Sequence, residues 1–411
     1  MRIAINGTFW QRQDTGSGQY LRQLEAALRR VSPEDEFTLL MPGGQGAARS
    51  GGASCPPSQP EMRTLATPFD GLNENLAKLW FEQVTLPRAC ARRPETGRPE
   101  TEFLSETRFL SSQPVDVLHV PYFAPPWRAP VPVVVTIHDV IPLLLPAYRG
   151  SALVRGYTRL VVRAARHAAL VLTDSQASAR DIVRLLRVPS ERVQVVYLAV
   201  EASYRPLAPE VWQPVLARLG VSQPYLLYLG GFDVRKNLDG LLRAYARARN
   251  KLGQTRLVIA GRLPKADSAF APDPRRLARQ LGLEDVVCYT GWVDEADKPA
   301  LYAGATAFVF PSHYEGFGLP VLEAIACGTP AIVGAGSSLE EIAGPGGLVV
   351  PPTDVEALAD AMVRMVNDAA LRGQLAEQGL VHARGFSWDR AARETLEAYR
   401  RAAGCRVYNT A

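Results

Sequence analysis

Short hydrophobic runs rich in Val, Ile and Leu alternate along the chain with longer amphipathic stretches. This alternation is typical of parallel β-sheets whose strands are joined by crossover helices. Several runs end in Gly, Asp or Ser, so polar residues lie at the carboxyl edge of each sheet, where open α/β folds bind ligands. The predicted strands form two series: Arg2–Asn6, Phe37–Met41, Val115–Val120, Val131–His138 and Ala169–Asp174, then Tyr225–Gly230, Arg256–Ala260, Val286–Thr290, Ala307–Phe310 and Ala331–Val333.

The two strand series predict two domains. A proline-rich segment, Glu201–Pro224, separates them and is typical of a linker. With the boundary near residue 205, the chain divides into residues 1–205 and 206–385, which suits 411 residues at roughly 200 per domain. Two further stretches, Pro42–Pro60 and Arg93–Gln113, are predicted to be surface loops of the first domain.

Composition narrows the classes of protein. Hydrophobic residues make up 47% and charged residues 21%, which indicates a globular protein. The net charge of +5 favours anionic ligands or a membrane surface, but is too small to imply nucleic acid. The five cysteines are scattered and predict neither a zinc site nor a disulfide framework. With no secretory signal and no apolar stretch of roughly 20 residues, we expect a cytoplasmic protein, soluble or peripheral at the inner face of the membrane.

The segment from Glu315 to Glu323 places two carboxylates around a glycine-rich turn, directly after a predicted strand. Gly316 and Gly318 allow a tight turn and a close approach to a ligand. Pro320 suits the first position of a helix, and the free N–H groups and dipole of a helix start favour phosphate. The alternative is an ordinary helix start with two incidental surface acids.

This segment resembles the E-x7-E motif of retaining glycosyltransferases of family 4. The resemblance implies the GT-B fold: two α/β, Rossmann-like domains facing a central cleft, with a C-terminal helix, here residues 386–403, crossing back onto the first domain. It also implies that Glu315 faces the transferred sugar and that Glu323 holds the ribose hydroxyls of the nucleotide. Phe317, Gly318 and Leu319 would then contribute to donor binding through the N–H groups that follow Glu315.

A second motif begins the second domain, where a strand ends in Gly230 and Gly231 and is followed by Arg235 and Lys236. Two cations at a helix entrance are suited to neutralising a diphosphate leaving group. The segment resembles the diphosphate motif of the same family, except that many members have an arginine where this chain has Gly231. A solvated basic turn is the alternative.

Two candidate sites lie in the first domain. Gly16 and Gly18 form a glycine loop between the first strand and a helix predicted at Leu21–Val31, and the resemblance implies that this loop closes on the diphosphate. His138 and Asp139 end a buried strand. The family has a histidine at this point that hydrogen bonds to the transferred sugar, and Asp139 is expected to orient the ring or to contact the acceptor.

Two further patterns have a structural alternative. Ser338 followed by Glu341 predicts a capping box, and a contact with the donor is the functional alternative. The predicted helix Ser151–Ala169 has arginines at helical spacing, so its face either is solvated or lies on anionic lipid. These arginines are Arg155, Arg159, Arg163 and Arg166.

Together these motifs predict a retaining hexosyltransferase that needs neither a metal nor a cofactor. Its donor is a nucleoside diphosphate sugar and its acceptor a hydroxyl of a carbohydrate, a lipid-linked sugar or a small molecule. Trp80-Phe-Glu82-Gln83 followed by Leu86-Pro87, together with Thr136–Asp139, looks most like the mannosyltransferase branch, so GDP-mannose is the first expectation and a UDP-sugar the next. The alternatives are a nucleotide-sugar epimerase or hydrolase, and a non-catalytic binding module.

Overall fold

The computed structural model describes residues 1–12, 15–43, 61–91 and 115–404. The two predicted surface loops lie outside these ranges, apart from Pro42 and Gly43. The described chain divides into two units. Unit 1 comprises residues 1–174, 179–197 and 388 onwards, and unit 2 comprises residues 175–178 and 198–387.

Unit 1 contains a seven-stranded sheet of order β3-β2-β1-β4-β5-β6-β7, in which all neighbouring strands are parallel. The strands are β1 Arg2–Asn6, β2 Glu36–Pro42, β3 Glu61–Leu65, β4 Val117–Val120, β5 Val133–Thr136, β6 Leu170–Thr173 and β7 Val193–Val195. The helices are α1 Gly16–Val31, α2 Glu74–Trp80, α3 Leu86–Ala89, α4 Ile141–Leu144, α5 Ala152–Ala165 and α6 Gln176–Asp181, with π-helical turns at Phe81–Thr85 and Ile182–Leu186. The first three residues of α6 are grouped with unit 2. The central strands β4, β5 and β6 are buried along their whole length, as expected for a sheet covered on both faces.

Unit 2 contains a six-stranded parallel sheet of order β10-β9-β8-β11-β12-β13. The strands are β8 Tyr225–Leu229, β9 Arg256–Ala260, β10 Val287–Gly291, β11 Ala307–Phe310, β12 Ala331–Gly334 and β13 Gly347–Val350. The helices are α7 Pro209–Arg218, α8 Leu238–Ala248, α9 Pro274–Gln280, α10 Lys298–Ala303, α11 Leu319–Ala326, α12 Leu339–Ala343, α13 Val355–Asn367 and α14 Ala369–Ala383. Both sheets have the Rossmann-like arrangement that the sequence predicts.

The last helix, α15 (Trp388–Gly404), belongs to unit 1, although almost all of unit 2 precedes it in the chain. It packs against α1, and the Tyr399 hydroxyl lies 2.7 Å from His119 Nδ1 in the core. His119 Nε2 lies 2.8 Å from Thr136 Oγ1, and burial lowers the pKa of His119 to about 3. The predicted return of the C-terminal helix to the first domain is therefore confirmed, and the neutral His119 ring connects it to two strands.

Several predicted boundaries are wrong. Helix α1 begins at Gly16 and not at Leu21, because Thr15 caps it by accepting a hydrogen bond from Gly18 N. Helix α5 ends at Ala165, four residues before its predicted end at Ala169. Three strands, β3, β7 and β13, were absent from the predicted series.

Among the residues that the structure describes, every helix is too short or too polar to cross a lipid bilayer.

Candidate active site

The candidate site of unit 2 lies where the strand order reverses. Chain order runs outwards in opposite directions from β8 and β11, which are neighbours in the sheet. Loops that leave the carboxyl ends of two such strands diverge and leave a crevice, which is where open α/β sheets bind ligands. Arg235 and Lys236 follow β8, and Glu315 follows β11. The topology therefore brings the two predicted motifs to one edge of one sheet.

Glu315 binds both cations. Its Oε1 lies 2.7 Å from Lys236 Nζ, and its Oε2 forms an ion pair with the Arg235 guanidinium. The three side chains are only 10 to 13% exposed, so the alternative of a solvated basic turn is wrong. Lys236 Nζ also lies 4.9 Å from the centre of the Phe310 ring.

The electrostatics of Glu315 follow from these contacts. Burial alone would raise the pKa of the carboxyl group, but the charges of Lys236 and Arg235 outweigh burial, and the pKa lies below its usual value. Glu315 is therefore ionised at neutral pH. Two cations are held close to one carboxylate, in a position that does not depend on a ligand.

Asn237 fixes the position of the two cations. It adopts the left-handed conformation, with φ of 58°, and caps α8 by accepting a hydrogen bond from Gly240 N at 3.2 Å. Its Nδ2 donates to Pro311 O at 3.0 Å and to Pro352 O at 2.6 Å, which connects the start of α8 to the segments after β11 and β13. The sequence motif included Asn237, but this connection was not predicted.

The turn that carries Glu315 is held through its carbonyl oxygens. The buried Ser338 hydroxyl contacts Glu315 O at 2.9 Å and Phe317 O at 2.7 Å. Ser175 Oγ donates to Gly316 O at 2.6 Å, and Ser178 Oγ to the same oxygen at 3.0 Å. We refer to Ser175, Ser178 and Ser338 as the serine clamp. No sequence motif indicated it.

The capping box predicted at Ser338 and Glu341 is wrong. The Ser338 side chain makes no capping hydrogen bond to α12, because its hydroxyl is bound to the turn after Glu315. Glu341 instead accepts hydrogen bonds from Gln176 N and Ala177 N, both at 3.0 Å. Both side chains therefore stabilise neighbouring segments and not their own helix.

Gly318 is required by the geometry of the same turn. Its φ is +108°, and a Cβ atom would lie 2.5 Å from Leu339 Cδ2. Helix α11 begins at Leu319, so Pro320 occupies the second helical position and not the first. The Phe317 ring is buried and packs against Phe386, so its backbone is the part suited to contacting a ligand.

Glu323 lies in the second turn of α11, in surroundings unlike those of Glu315. Its Oε2 accepts a hydrogen bond from the Tyr302 hydroxyl at 2.7 Å. Burial raises the pKa of Glu323, and the nearby Lys298 offsets only part of this rise. The pKa values of the two carboxyl groups of the motif are therefore shifted in opposite directions, downward for Glu315 and upward for Glu323. Such a difference often separates the roles of paired acids in active sites.

The glycines after β8 differ in their surroundings. Gly230 N continues the sheet by donating to Ala260 O at 3.1 Å, and its carbonyl oxygen would lie 2.3 Å from a Cβ on Gly261. Gly231 is exposed, and its ideal Cβ would meet only Asp233 Oδ2, at 3.4 Å. The backbone at Gly231 therefore has room for the side chain that many family members carry there.

In unit 1, His138 follows β5 and pairs with an acid that the sequence analysis did not single out. His138 Nδ1 lies 2.7 Å from Asp174 Oδ2, and the Tyr20 ring packs edge-on at 4.8 Å. Burial lowers the pKa of His138, but Asp174 together with smaller contributions from Asp139 and the Pro121 backbone outweighs burial, and the net shift is upward. Asp139, the predicted orienting acid, accepts a hydrogen bond from Ile141 N at 2.9 Å and adds a smaller upward contribution to this pKa.

Gly16 and Gly18 lie in the first turn of α1 and do not form the predicted flexible loop. A Cβ on Gly18 would lie 2.0 Å from Arg12 O, so glycine is required for the preceding turn to pack on the helix. Gly16 is exposed, with no atom within 4 Å of its ideal Cβ. Asp14, which precedes these glycines in the sequence, lies outside the described residues.

The Trp80–Gln83 motif forms a buried polar cluster beside the end of β1. The fully buried Glu82 accepts hydrogen bonds from the Tyr122 hydroxyl at 2.9 Å and the Tyr157 hydroxyl at 2.7 Å. Tyr122 in turn accepts from Asn6 Nδ2 at 2.9 Å. The cluster therefore holds the carboxyl ends of β1 and β4 together, where the strand order of this sheet reverses.

Comparison with known proteins identifies the class to which this fold and site belong. The model of Glycosyltransferase Family 4 matches residues 16–204, and the model of Glycosyl transferases group 1 matches residues 218–381. O-antigen chain mannosyltransferase B of Escherichia coli is 35% identical over 286 residues, which are 69% of this chain and 74% of that protein. The chain therefore belongs to the family 4 glycosyltransferases.

Two other proteins are similar over most of their length. D-inositol 3-phosphate glycosyltransferase of Kribbella flavida is 30% identical over 355 residues, which are 82% of this chain and 80% of that protein. The structure of sucrose-phosphate synthase from Thermosynechococcus elongatus matches with a TM-score of 0.71 at 22% identity, covering 97% of this chain and 98% of that one. The match supports the GT-B fold that the resemblance implied.

Proposed function

We propose that this glycosyltransferase transfers a hexose, with retention of anomeric configuration, from a nucleoside diphosphate sugar to a hydroxyl of a carbohydrate acceptor. The observation that carries the proposal is the contact of 2.7 Å between Lys236 Nζ and Glu315 Oε1 where the strand order of unit 2 reverses. A buried pair of cations beside a helix start is suited to a diphosphate, and the adjacent carboxylate to sugar hydroxyls.

Departure of the leaving group is the difficult step, because a diphosphate must accept the bonding electrons while the sugar approaches an oxocarbenium ion. Arg235 and Lys236 would stabilise the growing negative charge, together with the N–H groups at the start of α11. Since Glu315 already holds both cations in place, little reorganisation is needed when the donor binds. The proposal includes metal independence, because these cations supply the positive charge that a divalent metal would otherwise provide.

The two carboxylates of the motif take different roles. Glu315 is ionised and would accept hydrogen bonds from hydroxyls of the transferred sugar. Glu323, whose pKa is raised, would bind the ribose hydroxyls of the nucleotide. We assign neither as a covalent nucleophile: the acceptor attacks the face that the leaving group vacates, and a phosphate oxygen takes its proton.

In unit 1, His138 would donate a hydrogen bond to the transferred sugar. Asp174 accepts from the opposite ring nitrogen, Nδ1, and so fixes the tautomer and the orientation of the ring. Gly16 and Gly18 would contribute the start of α1 to diphosphate binding. These roles follow the resemblance, residue by residue.

Mannose is our first choice of sugar because O-antigen chain mannosyltransferase B is 35% identical. We keep GDP-mannose as the first donor to test and a UDP-sugar as the second, because none of the contacts described above selects a base. The same relative favours a polysaccharide intermediate as acceptor. For such a product we propose that the enzyme acts in the cytoplasm, peripheral to the inner face of the membrane. Both relatives are named as transferases, which favours transfer over epimerisation, hydrolysis or binding alone.

The test is incubation of the purified protein with GDP-mannose and, separately, UDP-glucose, with a mannan-type oligosaccharide acceptor and with EDTA present. We expect glycosyl transfer, and an α-linked product by NMR from an α-linked donor. Glu315→Gln should reduce kcat by about a hundredfold, because the cations lose the charge that positions them. An inverted product, or full activity in Glu315→Gln, would contradict the mechanism.

A further inference from the structure

A fully buried acid in the Trp80–Gln83 motif has no part in the chemistry proposed above. The Glu82 carboxylate accepts hydrogen bonds from the Tyr122 and Tyr157 hydroxyls, and Lys78 Nζ lies 3.8 Å from its Oε1. Burial of a carboxyl group costs free energy, and apolar residues of similar volume often stabilise a core at least as well. Stability of the core is therefore not a sufficient reason for an acid at this position, and its hydrogen bonds indicate another.

A chain of hydrogen bonds leads from Glu82 to the end of β1. The Tyr122 hydroxyl donates to Glu82 Oε1 at 2.9 Å, which leaves its oxygen free to accept from Asn6 Nδ2, also at 2.9 Å. Asn6 Oδ1 in turn accepts from Thr8 N at 3.0 Å and from Thr8 Oγ1 at 2.6 Å. Thr8 Oγ1 also lies 3.2 Å from the Tyr122 hydroxyl, as a more distant second acceptor. All four residues are at most 8% exposed, so water competes little for these bonds. We refer to Glu82, Tyr122, Asn6 and Thr8 as the Glu82 chain.

The turn at residues 7–12, which contains the last member of the Glu82 chain, packs directly on the start of α1. Arg12 N donates to Phe9 O at 3.0 Å within this turn. Arg12 O accepts from the hydroxyl of Thr15, the N-cap of α1, at 2.9 Å. A Cβ on Gly18, in the first turn of α1, would lie 2.0 Å from the same oxygen. The turn and the start of α1 are therefore in close contact, and movement of one displaces the other.

We propose that Glu82 is a positioning residue for the transfer reaction. Through Tyr122 and Asn6 it holds the turn at residues 7–12, and with it the start of α1, in the position that receives the diphosphate. This inference rests on the proposed function, in which the start of α1 contributes to diphosphate binding. Glu82 itself contacts no substrate, because its side chain is inaccessible. Its effect on the reaction is therefore indirect and passes through the backbone of the turn.

Tyr157 provides a matched control for Tyr122. It lies on α5 and donates to Glu82 Oε2 at 2.7 Å, whereas Tyr122 donates to Oε1. Tyr122→Phe and Tyr157→Phe each remove one hydroxyl from the same carboxylate, but only Tyr122→Phe interrupts the Glu82 chain. If the carboxylate served stability alone, the two variants would not differ in their effect on the reaction.

The test is hydrogen–deuterium exchange of the full chain, combined with steady-state kinetics on the donor that the wild type uses. In Tyr122→Phe, amide exchange in residues 7–12 should be at least about tenfold faster, because Asn6 no longer holds Thr8 N in a fixed position. We expect kcat/KM for the donor to fall about tenfold in the same variant. In Tyr157→Phe both quantities should stay within about twofold of the wild type. Equal changes in the two variants, or a faster-exchanging turn with normal kcat/KM, would overturn the proposal.

Substitutions of Glu82 itself add a second test. Glu82→Gln keeps an acceptor and supplies an N–H donor, so the Glu82 chain stays connected and kcat/KM should remain near that of the wild type. Glu82→Leu removes the acceptor and should reproduce the loss in Tyr122→Phe, with circular dichroism confirming that the variant is folded. Equal loss in Glu82→Gln and Glu82→Leu would assign the effect to charge and contradict the hydrogen-bond route.

The exchange measurement needs no substrate, so it separates this inference from the proposed function. A wild type that transfers no sugar would contradict the proposed function. Exchange of the turn in Tyr122→Phe at the wild-type rate would instead show that the Glu82 chain does not hold the turn, whatever the reaction.

Discussion

At the scale of single residues, His138 and Asp174 form a close pair in unit 1, with Nδ1 and Oδ2 2.7 Å apart. Burial and the carboxylate act on the imidazole in opposite directions, and the net effect raises the pKa of His138 above its ordinary value of 6.5. The contribution of the pair to the free energy of unfolding is therefore complete below pH 6.5 and is lost as the pH rises through the folded-state pKa. Asp174 sets the charge of a ring proposed to contact the sugar.

Replacement of Asp174 by Asn tests this interpretation. The variant keeps the burial but loses the charge, so we expect the pKa of His138 to fall below 6.5. NMR titration of imidazole resonances in the folded protein measures this directly, with assignment through His138→Ala. The loss in free energy of unfolding should be larger at about pH 5.5 than at about pH 8.5.

Asp139→Asn is the matched control, because this acid is adjacent to His138 in sequence but contacts Ile141 N. It should lower the pKa of His138 less than Asp174→Asn does. An equal effect of the two substitutions would show that general negative charge, and not the contact with Asp174, sets the state of the ring.

Sequence reasoning predicted some of these residues and missed others for identifiable reasons. Glu315, Arg235 and Lys236 belong to local motifs, and the structure places them in direct contact. Asp174 could have been predicted, because it directly follows β6, the strand next to β5. Side chains at the carboxyl ends of neighbouring parallel strands lie close together. Ser338 was misread because capping is a local rule, and its hydroxyl is used in a non-local contact.

At the scale of elements, the turn between β11 and α11 depends on segments distant in sequence. The serine clamp supplies hydroxyls from the start of α6 and from the start of α12, and all three serines are fully buried. Since buried carbonyl oxygens without partners are costly, these hydroxyls favour one conformation of the turn. We infer that the clamp positions Glu315 without contacting the substrate.

Ser338→Ala should therefore affect both stability and the donor site. It leaves two buried carbonyl oxygens, Glu315 O and Phe317 O, without this donor, and we expect a loss of about 1–3 kcal/mol in the free energy of unfolding. If Ser338 positions the turn, KM for the donor should rise and kcat should fall, while KM for the acceptor stays unchanged. Urea denaturation and steady-state kinetics measure the two effects.

Two variants separate positioning from simple destabilisation. Ser337→Ala removes a neighbouring hydroxyl that accepts a hydrogen bond from Leu339 N, two residues along the chain. Because this contact is local and does not involve the turn after Glu315, the variant should leave donor KM unchanged. Ser338→Thr keeps the hydroxyl and should recover most of the donor affinity. A Ser338→Ala enzyme that is less stable but kinetically normal would show that the clamp has no positioning role.

The elements that the sequence failed to predict have a common physical explanation. All three missing strands, β3, β7 and β13, lie at the edges of their sheets. Each is partly exposed, and none of them is a continuous buried run, unlike β4 to β6. An edge strand has a neighbour on one side only, so its sequence is not constrained to be apolar throughout. The interior strands were identified because burial on both faces leaves a clear apolar signal.

At the scale of the whole molecule, the two units are not continuous in sequence. Helix α15 joins unit 1 from the far end of the chain, and residues 175–178 are grouped with unit 2. Composition and periodicity identified the two strand series and their approximate division. They could not show the exchange of these segments, because helix amphipathicity does not specify which apolar surface a helix covers.

The division into units predicts how nucleotide binding is distributed over the molecule. Arg235, Lys236, Glu315 and Glu323 all belong to unit 2, whereas His138 is in unit 1. A nucleoside diphosphate without its sugar should therefore stabilise the protein mainly through unit 2 residues, with a smaller contribution from the start of α1 in unit 1. At about a hundredfold its Kd, GDP or UDP should add about 2.7 kcal/mol to the free energy of unfolding. Differential scanning calorimetry of the full chain measures this as a rise in transition temperature.

Lys236→Ala and His138→Ala are the matched pair of variants for this prediction. Lys236→Ala removes a proposed diphosphate contact, so the rise in transition temperature with GDP or UDP should largely disappear. His138→Ala should keep that rise while losing transferase activity, because its proposed partner is the sugar and free nucleotide contains none. If both variants lost the nucleotide response equally, the assignment of the main diphosphate contacts to unit 2 and of sugar contact to His138 would be wrong. The opposite pattern, with only His138→Ala unresponsive, would move the nucleotide site to unit 1.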